Sequence, residues 1–421
     1  MDKASVIIIG AGASGLMAAL ELSRAGRNVI VLEARDRLGG RIHTIQGIEA
    51  GAEFVHGDLP LTESLLRQAG IALRDAGGKM YRSEKGQWQT ANAPLKGWPE
   101  LIERMGLLEE DITVAAFLQE CYPGKEHALL AQNMRRYAEG YDLADIETAS
   151  TLALFQEWSK EEQPQHRLQG GYQRLIHYLA EEARAKGCVI HTSAVVKEIN
   201  WESHSVRVRT GEGNIFNAQA ALITVPLGVL TAGPDTEAGI RFSPAVADRL
   251  AAAQWLGYGS VIKILLRFKK PFWEEQAPGI GFLLSDQALP VWWTQAPEDQ
   301  ALLTGWFGGP RTAEYKEMNE EQVLREALAS LSVVFGIAAP VLQALLSSYR
   351  VVDWSRDPFA LGAYSFRTVG DSGARKLLNT PLDDTLFFAG EGLYVGDVPP
   401  GTVEAALVSG QVAAQAVLKA N

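Results

Sequence analysis

The sequence predicts an α/β fold of two interleaved domains, and three observations support this prediction. A β-branched run, a glycine-rich turn and a helical stretch open the chain, as in a βαβ unit. A helix-rich stretch then interrupts the α/β pattern, which returns near residue 170. A further buried strand and glycine-rich turn precede the last helix, so both ends of the chain carry motifs of one kind.

The first 35 residues form the opening βαβ unit. Residues 5–10 are typical of a buried parallel strand, and Val29–Leu32 is a second one. Between them, residues 14–26 carry helix-forming Leu, Met and Ala, and Gly26 is expected to cap the helix. This arrangement predicts a Rossmann-like, dinucleotide-binding domain.

The rest of the chain divides into a helical insertion and two returning α/β segments. The insertion, residues 59–165, is predicted to contain helices at 61–69, 100–120 and 126–140 and few strands. Later predicted elements are a helix at 172–186, strands at 188–191, 194–200, 205–210, 221–225, 260–268 and 385–389, and a last helix at 402–419. We therefore expect a dinucleotide-binding domain from residues 1–58, 166–245 and 366–421, and a substrate domain of mixed sheet and helices from 59–165 and 246–365.

Composition excludes several classes of protein. The chain of 421 residues is too long for one ordinary core, and its net charge of −11 argues against nucleic acid as a partner. Two cysteines without metal-ligand spacing argue against a disulfide framework and a metal site. No apolar run approaches the roughly 20 residues of a membrane helix, and the apolar start is typical of a strand and not of a signal peptide. We expect a cytoplasmic protein that does not enter a membrane; its oligomeric state stays open.

The first glycine-rich turn predicts where a dinucleotide binds. It consists of Gly10, Ala11, Gly12, Ala13, Ser14 and Gly15. The first glycine permits the tight turn, the second lets the backbone approach a pyrophosphate, and the third allows close packing of helix on strand. Glu33 ends the next strand 18 residues after Gly15, the spacing expected of a carboxylate that accepts from ribose hydroxyls.

A second glycine pair follows Glu33 and Ala34. Gly39 and Gly40 stand between Arg35 and Arg41, so backbone N–H groups and guanidinium groups could approach the same diphosphate. This segment, EARDRLGGR at 33–41, resembles the motif that binds FAD in flavin amine oxidases, such as monoamine oxidases, polyamine oxidases and flavin-dependent histone demethylases. The resemblance continues through GAEFVHG (51–57), LQGGYQRL (168–175), LITVPLGVL (222–230), YGSVIKILLRF (258–268), WSRDPFALGAYSF (354–366) and LFFAGEGLYVGDVPPGTVEAALVSG (386–410).

This resemblance implies FAD binding of the two-dinucleotide-binding-motif type. Gly390 and Glu391 follow a predicted strand, and Gly401, Thr402 and Val403 begin the last helix, whose N-terminus can face the flavin. By resemblance, Val196 bonds the adenine through its backbone. The resembling motifs also place Ala52, Glu53, Phe54 and Trp354 at the cofactor. Position 363 is alanine where covalent members of the family carry a cysteine, so FAD is expected to be non-covalent.

Four residues are candidates for the chemistry. From strand alternation alone Lys263 would face solvent, but the resemblance implies a lysine that holds a water at flavin N5. Tyr364 matches one wall of an aromatic cage, and the other wall falls on Thr402 unless Trp292, Trp293 or Trp306 supplies it. His56 matches a histidine near the substrate nitrogen in polyamine oxidases, although a structural histidine in a loop is equally compatible. Glu53 could attract a cationic substrate or act through its backbone.

The sequence therefore favours an FAD-dependent amine oxidase. It would move hydride from the amine carbon to flavin N5, and O₂ would reoxidise the flavin with release of H₂O₂. His56 favours polyamines, and acids of the insertion could line an entrance for cations: Glu109, Glu110, Asp111, Asp142, Asp145 and Glu147. The alternatives are an L-amino-acid oxidase, for which no clamping arginine stands out, an enzyme acting on an apolar substrate like protoporphyrinogen oxidase, and a non-catalytic FAD-binding protein.

Overall fold

A computed structural model of the chain describes residues 4–57, 59–90, 96–160, 164–396 and 398–420. Asp58, which ends the first predicted segment of the dinucleotide-binding domain, and Asp397, inside the C-terminal motif, lie outside the described residues. Residues 91–95 and 161–163 of the predicted insertion also lie outside the described residues.

Helices and strands are interspersed along the chain. The helices are α1 Ala13–Arg24, α2 Pro60–Ala69, α3 Trp98–Gly106, α4 Val114–Cys121, α5 Ala128–Gly140, α6 Thr151–Trp158, α7 Gln173–Ala185, α8 Leu227–Leu230, α9 Ala247–Ala253, α10 Glu320–Phe335, α11 Ala339–Leu345, α12 Ser372–Asn379 and α13 Val403–Ala420. The strands are β1 Ala4–Ile9, β2 Val29–Leu32, β3 Thr44–Ile45, β4 Ile48–Glu49, β5 Phe54–His56, β6 Leu73–Asp75, β7 Lys79–Glu84, β8 Gln87–Thr90, β9 Gln165–Leu168, β10 Val189–His191, β11 Val196–Glu202, β12 Ser205–Thr210, β13 Ile215–Ile223, β14 Arg241–Ser243, β15 Gly257–Tyr258, β16 Val261–Phe268, β17 Ile280–Ser285, β18 Val291–Trp293, β19 Leu302–Gly308, β20 Leu346–Asp353, β21 Ser365–Phe366 and β22 Leu386–Phe388.

One sheet joins strands from both ends of the chain. Its order is β10-β2-β1-β13-β12-β11-β14, and β22 also pairs with β13. Strand β1 is parallel to β2 and to β13, and β13 is parallel to β22. Ile7 and Ile9 pack into one hydrophobic core while Val6 and Ile8 pack into another, so β1 is covered on both faces, as expected of a central parallel strand. All these strands fall within the three segments assigned to the dinucleotide-binding domain; the domain boundaries themselves stay a prediction.

A second sheet, of order β20-β16-β19-β18-β17-β7-β8, takes its strands from residues 79–90 and 261–353. Strand β16 lies between β20 and β19 and is antiparallel to both. One face of this sheet packs on α10 around Trp292, Leu303 and Leu328. The position of β16 inside the sheet determines where its one lysine, Lys263, can lie.

The predicted insertion is less purely helical than expected. It contains the strands β6, β7 and β8, and β7 pairs in parallel with β17 of the second sheet. The predicted helix 100–120 is two helices, α3 and α4. These short strands escaped prediction because most of their residues are polar and exposed, without the alternation of a half-buried strand.

Within the described residues, no single helix is long and apolar enough to cross a membrane, and one bent pair, α10 with α11, passes that test by length and composition alone.

Candidate active site

The first glycine-rich turn has the geometry that a bound dinucleotide requires. Gly10 has a φ of +107°, which a residue with a side chain rarely adopts. A Cβ on Gly15 would lie 2.0 Å from the Gly10 carbonyl oxygen, so only glycine lets α1 pack this close to β1. A Cβ on Gly12 would meet nothing within 4 Å, which leaves open space at the N-terminus of α1.

Two polar groups face this turn. The hydroxyl of Ser14 is buried in the first turn of α1 and has no hydrogen-bond partner among the described residues. Glu33 is buried, and its two oxygens accept from the backbone N–H groups of Ala11, at 2.8 Å, and Arg35, at 2.9 Å. A carboxylate has about four acceptor sites, so Glu33 can still accept from a ribose hydroxyl. The unpaired hydroxyl and the open helix end suit an anion such as a diphosphate.

The glycine-rich segments from both ends of the chain meet here. The N–H of Gly39 donates to the Ala11 carbonyl at 2.9 Å, and Gly40 lies beside Gly12. Arg41 pairs with the buried Glu391 at 2.8 Å. Glu391 in turn accepts from the Ser365 hydroxyl at 2.6 Å and from the Gly401 N–H at 3.2 Å.

The remaining predicted cofactor residues surround this junction. Arg35 pairs with Asp357, and Trp354 is buried with its indole N–H donating to the Ala50 carbonyl at 3.2 Å. Gly390 has a φ of +150° and open space where a Cβ would stand. The others hold these positions: Ala13 begins α1, Ala34 follows Glu33, Ala52 precedes Glu53, Phe54 begins β5, Val403 begins α13, and Val196 begins β11, two residues after Ala194, whose N–H donates to the Glu33 carbonyl at 2.8 Å.

Lys263 does not face solvent, since only 1% of its surface is exposed. Its ammonium donates to Glu53 at 2.7 Å and lies 5.2 Å from the centre of the Trp293 ring. Glu53 is also buried and accepts from Arg167 and from the Trp293 indole N–H, both at 2.9 Å. Because Glu53 is already bound to two cations, it is not a free carboxylate that attracts substrate. That part of the sequence interpretation is wrong.

His56 ends β5 next to this cluster. Its ring meets the Phe54 ring at 5.8 Å and the Tyr141 ring at 6.1 Å between centroids. Burial lowers the pKa of His56 to about 4, so the imidazole is neutral near pH 7. A neutral imidazole can accept or donate a hydrogen bond without repelling a cation.

Trp306 gives Tyr364 a roughly parallel partner. Their ring centroids lie 6.5 Å apart with 25° between the planes. The end of α5 holds both rings, because the Gly140 carbonyl accepts from the Trp306 indole N–H at 2.9 Å and the Tyr141 carbonyl accepts from the Tyr364 hydroxyl at 2.5 Å. Thr402 instead caps α13, since its hydroxyl accepts from the Ala405 N–H at 3.1 Å.

The other two tryptophans considered as a second wall, Trp292 and Trp293, have different surroundings. Trp292 lies in the core behind the second sheet, with its indole N–H donating to the Leu289 carbonyl, so it is no wall of the site. Trp293 lies between Glu53 and Trp306, and its ring centroid is 5.8 Å from that of Trp306. Trp293, Trp306 and Tyr364 thus form a continuous aromatic surface that extends from Lys263.

A pair of carboxyl groups lies near Tyr364. Asp142 is buried and accepts from the Trp158 indole N–H at 3.0 Å. Burial, and then the charge of Glu157, raise the pKa of Asp142 well above its ordinary value. Burial also raises the pKa of Glu157 to about 7, so the pair retains a proton near neutral pH. Asp142 is therefore not an entrance acid, whereas Glu109, Glu110 and Glu147 are exposed and Asp111 and Asp145 are half-buried.

Sequence reasoning missed three contributors to this site: Arg167, Glu157 and the carbonyl groups at the end of α5. Arg167 immediately precedes the motif LQGGYQRL (168–175) but is not part of it. Glu157 lies in the insertion, where no motif resembles the family. The backbone carbonyls of Gly140 and Tyr141 leave no trace in a sequence. These groups come close to Glu53 and to the aromatic side chains of the site only in the folded chain.

Comparison with known proteins agrees with this geometry. The family model for flavin containing amine oxidoreductases matches residues 13–418. Polyamine oxidase 2 of Arabidopsis thaliana is 30% identical over 457 residues, which cover 98% of this chain and 87% of that protein. The lysine-specific histone demethylase 1B of Mus musculus is 29% identical over 446 residues, or 96% of this chain. The chain spans about half of that demethylase, 52% of its length.

The fold also matches a solved structure of a putrescine oxidase, the wild type bound to putrescine, with a TM-score of 0.81. That match covers 99% of each chain at 22% identity, so it shows the fold.

Proposed function

Since the chain belongs to the flavin containing amine oxidoreductase family, we propose that it binds FAD without a covalent bond and oxidises a primary or secondary amine, with O₂ as electron acceptor. We further propose a preference for diamines or polyamines. The observation that carries the proposal is the burial of the Lys263 ammonium on Glu53, at 2.7 Å, beside an aromatic surface.

The described residues fit FAD. Open space at Gly12 and Gly390, together with the unpaired Ser14 hydroxyl, supports a dinucleotide along the N-terminus of α1. Position 363 is alanine and offers no thiol for a covalent bond. Acid precipitation of the flavin-loaded protein should leave the yellow colour in the supernatant; colour that remains in the pellet would contradict non-covalent binding.

FAD held at the N-terminus of α1 would supply the electron sink for oxidation of the amine to an imine, with O₂ reduced to H₂O₂. The chain's own residues do the rest. Trp293, Trp306 and Tyr364 exclude water and orient the C–H bond of the substrate. The Lys263 ammonium supplies a fixed positive charge and donors for an ordered water. His56 is neutral near pH 7 and leaves a neutral substrate amine unprotonated.

Two features favour an amine without a carboxylate. An amino-acid oxidase needs an arginine that is free to clamp a carboxylate. Here Arg41 is engaged by Glu391 and Arg167 by Glu53, both buried glutamates. Asp142 and Glu157, near Tyr364, would instead favour a second ammonium group, because a nearby cation stabilises the ionised form of each carboxyl.

The test is a screen for H₂O₂ release from the flavin-loaded protein. Diamines, polyamines, monoamines, methylated lysine peptides and L-amino acids are compared at equal concentration, with heat-denatured protein plus free FAD as the control. We expect the largest kcat/KM for a diamine or polyamine. A faster turnover of a neutral L-amino acid would contradict the proposal and favour an amino-acid oxidase.

A further inference from the structure

A buried cluster of three charges lies at Lys263. Glu53 accepts on one oxygen from the Lys263 ammonium at 2.7 Å and on the other from Nε of Arg167 at 2.9 Å. The side chains of Lys263, Glu53 and Arg167 are 1%, 4% and 15% exposed. The two cations therefore share one carboxylate away from bulk water.

Arg167 is fixed in place by all three of its nitrogens. Besides the bond to Glu53, its Nη1 donates to the Ala296 carbonyl at 3.1 Å and its Nη2 to the Thr294 carbonyl at 3.0 Å. The guanidinium also lies 4.7 Å from the centre of the Phe54 ring. These contacts fix the guanidinium of Arg167 in one position and keep its charge away from solvent.

The cluster carries a net positive charge. Burial alone would raise the pKa of Glu53, but Lys263 and Arg167 outweigh burial and hold that pKa below its usual value. In the part of the chain that the structure describes, no carboxylate except Glu53 forms an ion pair with Lys263 or Arg167. Two cations and one anion leave one positive charge as long as Glu49, whose carboxyl interacts with Lys263 and Glu53, keeps its proton; burial raises the pKa of Glu49 to about 7. Lys263 and Glu53 alone would form a neutral pair.

We propose that Arg167 is a positioning residue whose charge keeps this cluster at +1, so that the cluster stabilises negative charge on the reduced flavin. The inference rests on the proposed function, in which Lys263 lies beside the flavin. A fixed positive charge in a buried site stabilises a neighbouring anion far more than the same charge in water does. Arg167 acts through Glu53 and Lys263 and needs no contact with the substrate.

Sulfite titration of the flavin-loaded protein tests this proposal without any amine. Sulfite adds reversibly to oxidised flavin and leaves negative charge on the ring, so its dissociation constant reports nearby positive charge. Removing one close charge commonly shifts such an equilibrium by one or more powers of ten. We expect Arg167→Gln to raise the sulfite Kd on the order of 10-fold, and Arg167→Lys, which keeps the charge, to restore it to within about 2-fold.

Arg74→Gln is the matched control. Arg74 lies on β6 opposite Arg167 in the strand register, but it is 46% exposed and pairs with Glu298. This variant loses the same unit of charge and should keep the wild-type sulfite Kd. An unchanged Kd in Arg167→Gln, or a Kd in Arg167→Lys as high as in the glutamine variant, would overturn the proposal. Either result could occur in an active amine oxidase, so it would leave the proposed function standing.

Arg167→His covers the case in which the glutamine variant does not fold. A histidine loses its charge as pH rises, near pH 6.5 in water and at a value that burial lowers and Glu53 raises at this position. The sulfite Kd of this variant, divided by the wild-type value at the same pH, should reach on the order of 10 wherever the imidazole is neutral. The same ratio for Arg167→Lys should stay flat. A ratio that stays near 1 from about pH 5.5 to about pH 9 would overturn the proposal, whereas a constant ratio on the order of 10 would mean a neutral imidazole throughout and would support it.

Discussion

Replacing Lys263 by methionine removes the ammonium but keeps a side chain of similar length. Met can occupy the apolar part of the lysine site on β16, so the change is chiefly electrostatic. Glu53 loses the hydrogen bond of 2.7 Å but keeps the two of 2.9 Å from Arg167 and Trp293. The Glu53 carboxylate thus loses one hydrogen-bond donor but is not left without partners.

That geometry gives the expected magnitudes. Breaking a buried ion pair by removing one partner costs about 3–5 kcal/mol, and the two remaining donors place this case at the lower end, near 3 kcal/mol. Loss of one preorganised charge at a reacting centre slows the step on the order of 10²-fold. We therefore expect Lys263→Met to lower the free energy of unfolding and to slow reoxidation of reduced flavin by O₂, while FAD stays bound.

Two measurements check the prediction. Urea unfolding of the protein gives the stability difference, and stopped-flow mixing of the anaerobically reduced protein with O₂ gives the reoxidation rate. Lys270→Met, at an exposed lysine just beyond the end of the same strand, is the control and should change neither. A flavin-loaded Lys263→Met protein with wild-type reoxidation would refute the electrostatic role, and unchanged stability would refute the buried ion pair.

Three further predictions concern other groups. Burial raises the pKa of Glu49 to about 7, so between about pH 4.5 and pH 7 the folded state holds more protons than the unfolded state. The free energy of unfolding should therefore fall by about 3 kcal/mol as pH rises through this range. Urea unfolding at several pH values measures this dependence, and Glu49→Gln should flatten it. Asp142→Asn should raise the KM for a diamine on the order of 10-fold and leave a monoamine nearly unaffected in steady-state kinetics, because asparagine has no ionised form for a second ammonium to stabilise. Finally, kcat/KM for the best polyamine should fall as salt rises, with kcat little changed, since charges are screened beyond about 10 Å at 0.1 M ionic strength; no salt effect would contradict steering by the acidic surface.

The cofactor turn was predictable because its chemistry is local. Gly10, Gly12 and Gly15 each have a separate steric task within six residues: Gly10 has a positive φ, a Cβ on Gly15 would clash with Gly10, and Gly12 leaves open space at the N-terminus of α1. The meeting of both chain ends followed from the two glycine-rich motifs, and the contact of Arg41 with Glu391 joins them.

The burial of Lys263 could not be predicted from the residues around it. Strand alternation alone would have placed it in solvent, and only the resemblance favoured a buried role. The physical reason for its burial is distant in sequence: β16 lies inside a sheet, and Glu53, 210 residues earlier, supplies the counter-charge. Arg167 lies 114 residues from Glu53, so its pairing was equally invisible.

The central claim is that an amine reduces the bound flavin directly, and anaerobic titration of the flavin-loaded protein tests it most directly. Without O₂, a diamine or polyamine should bleach the yellow flavin absorbance with about one equivalent per flavin, and a neutral L-amino acid should bleach it more slowly. Flavin that stays yellow with every amine tested would contradict the account and leave the protein a non-catalytic flavoprotein.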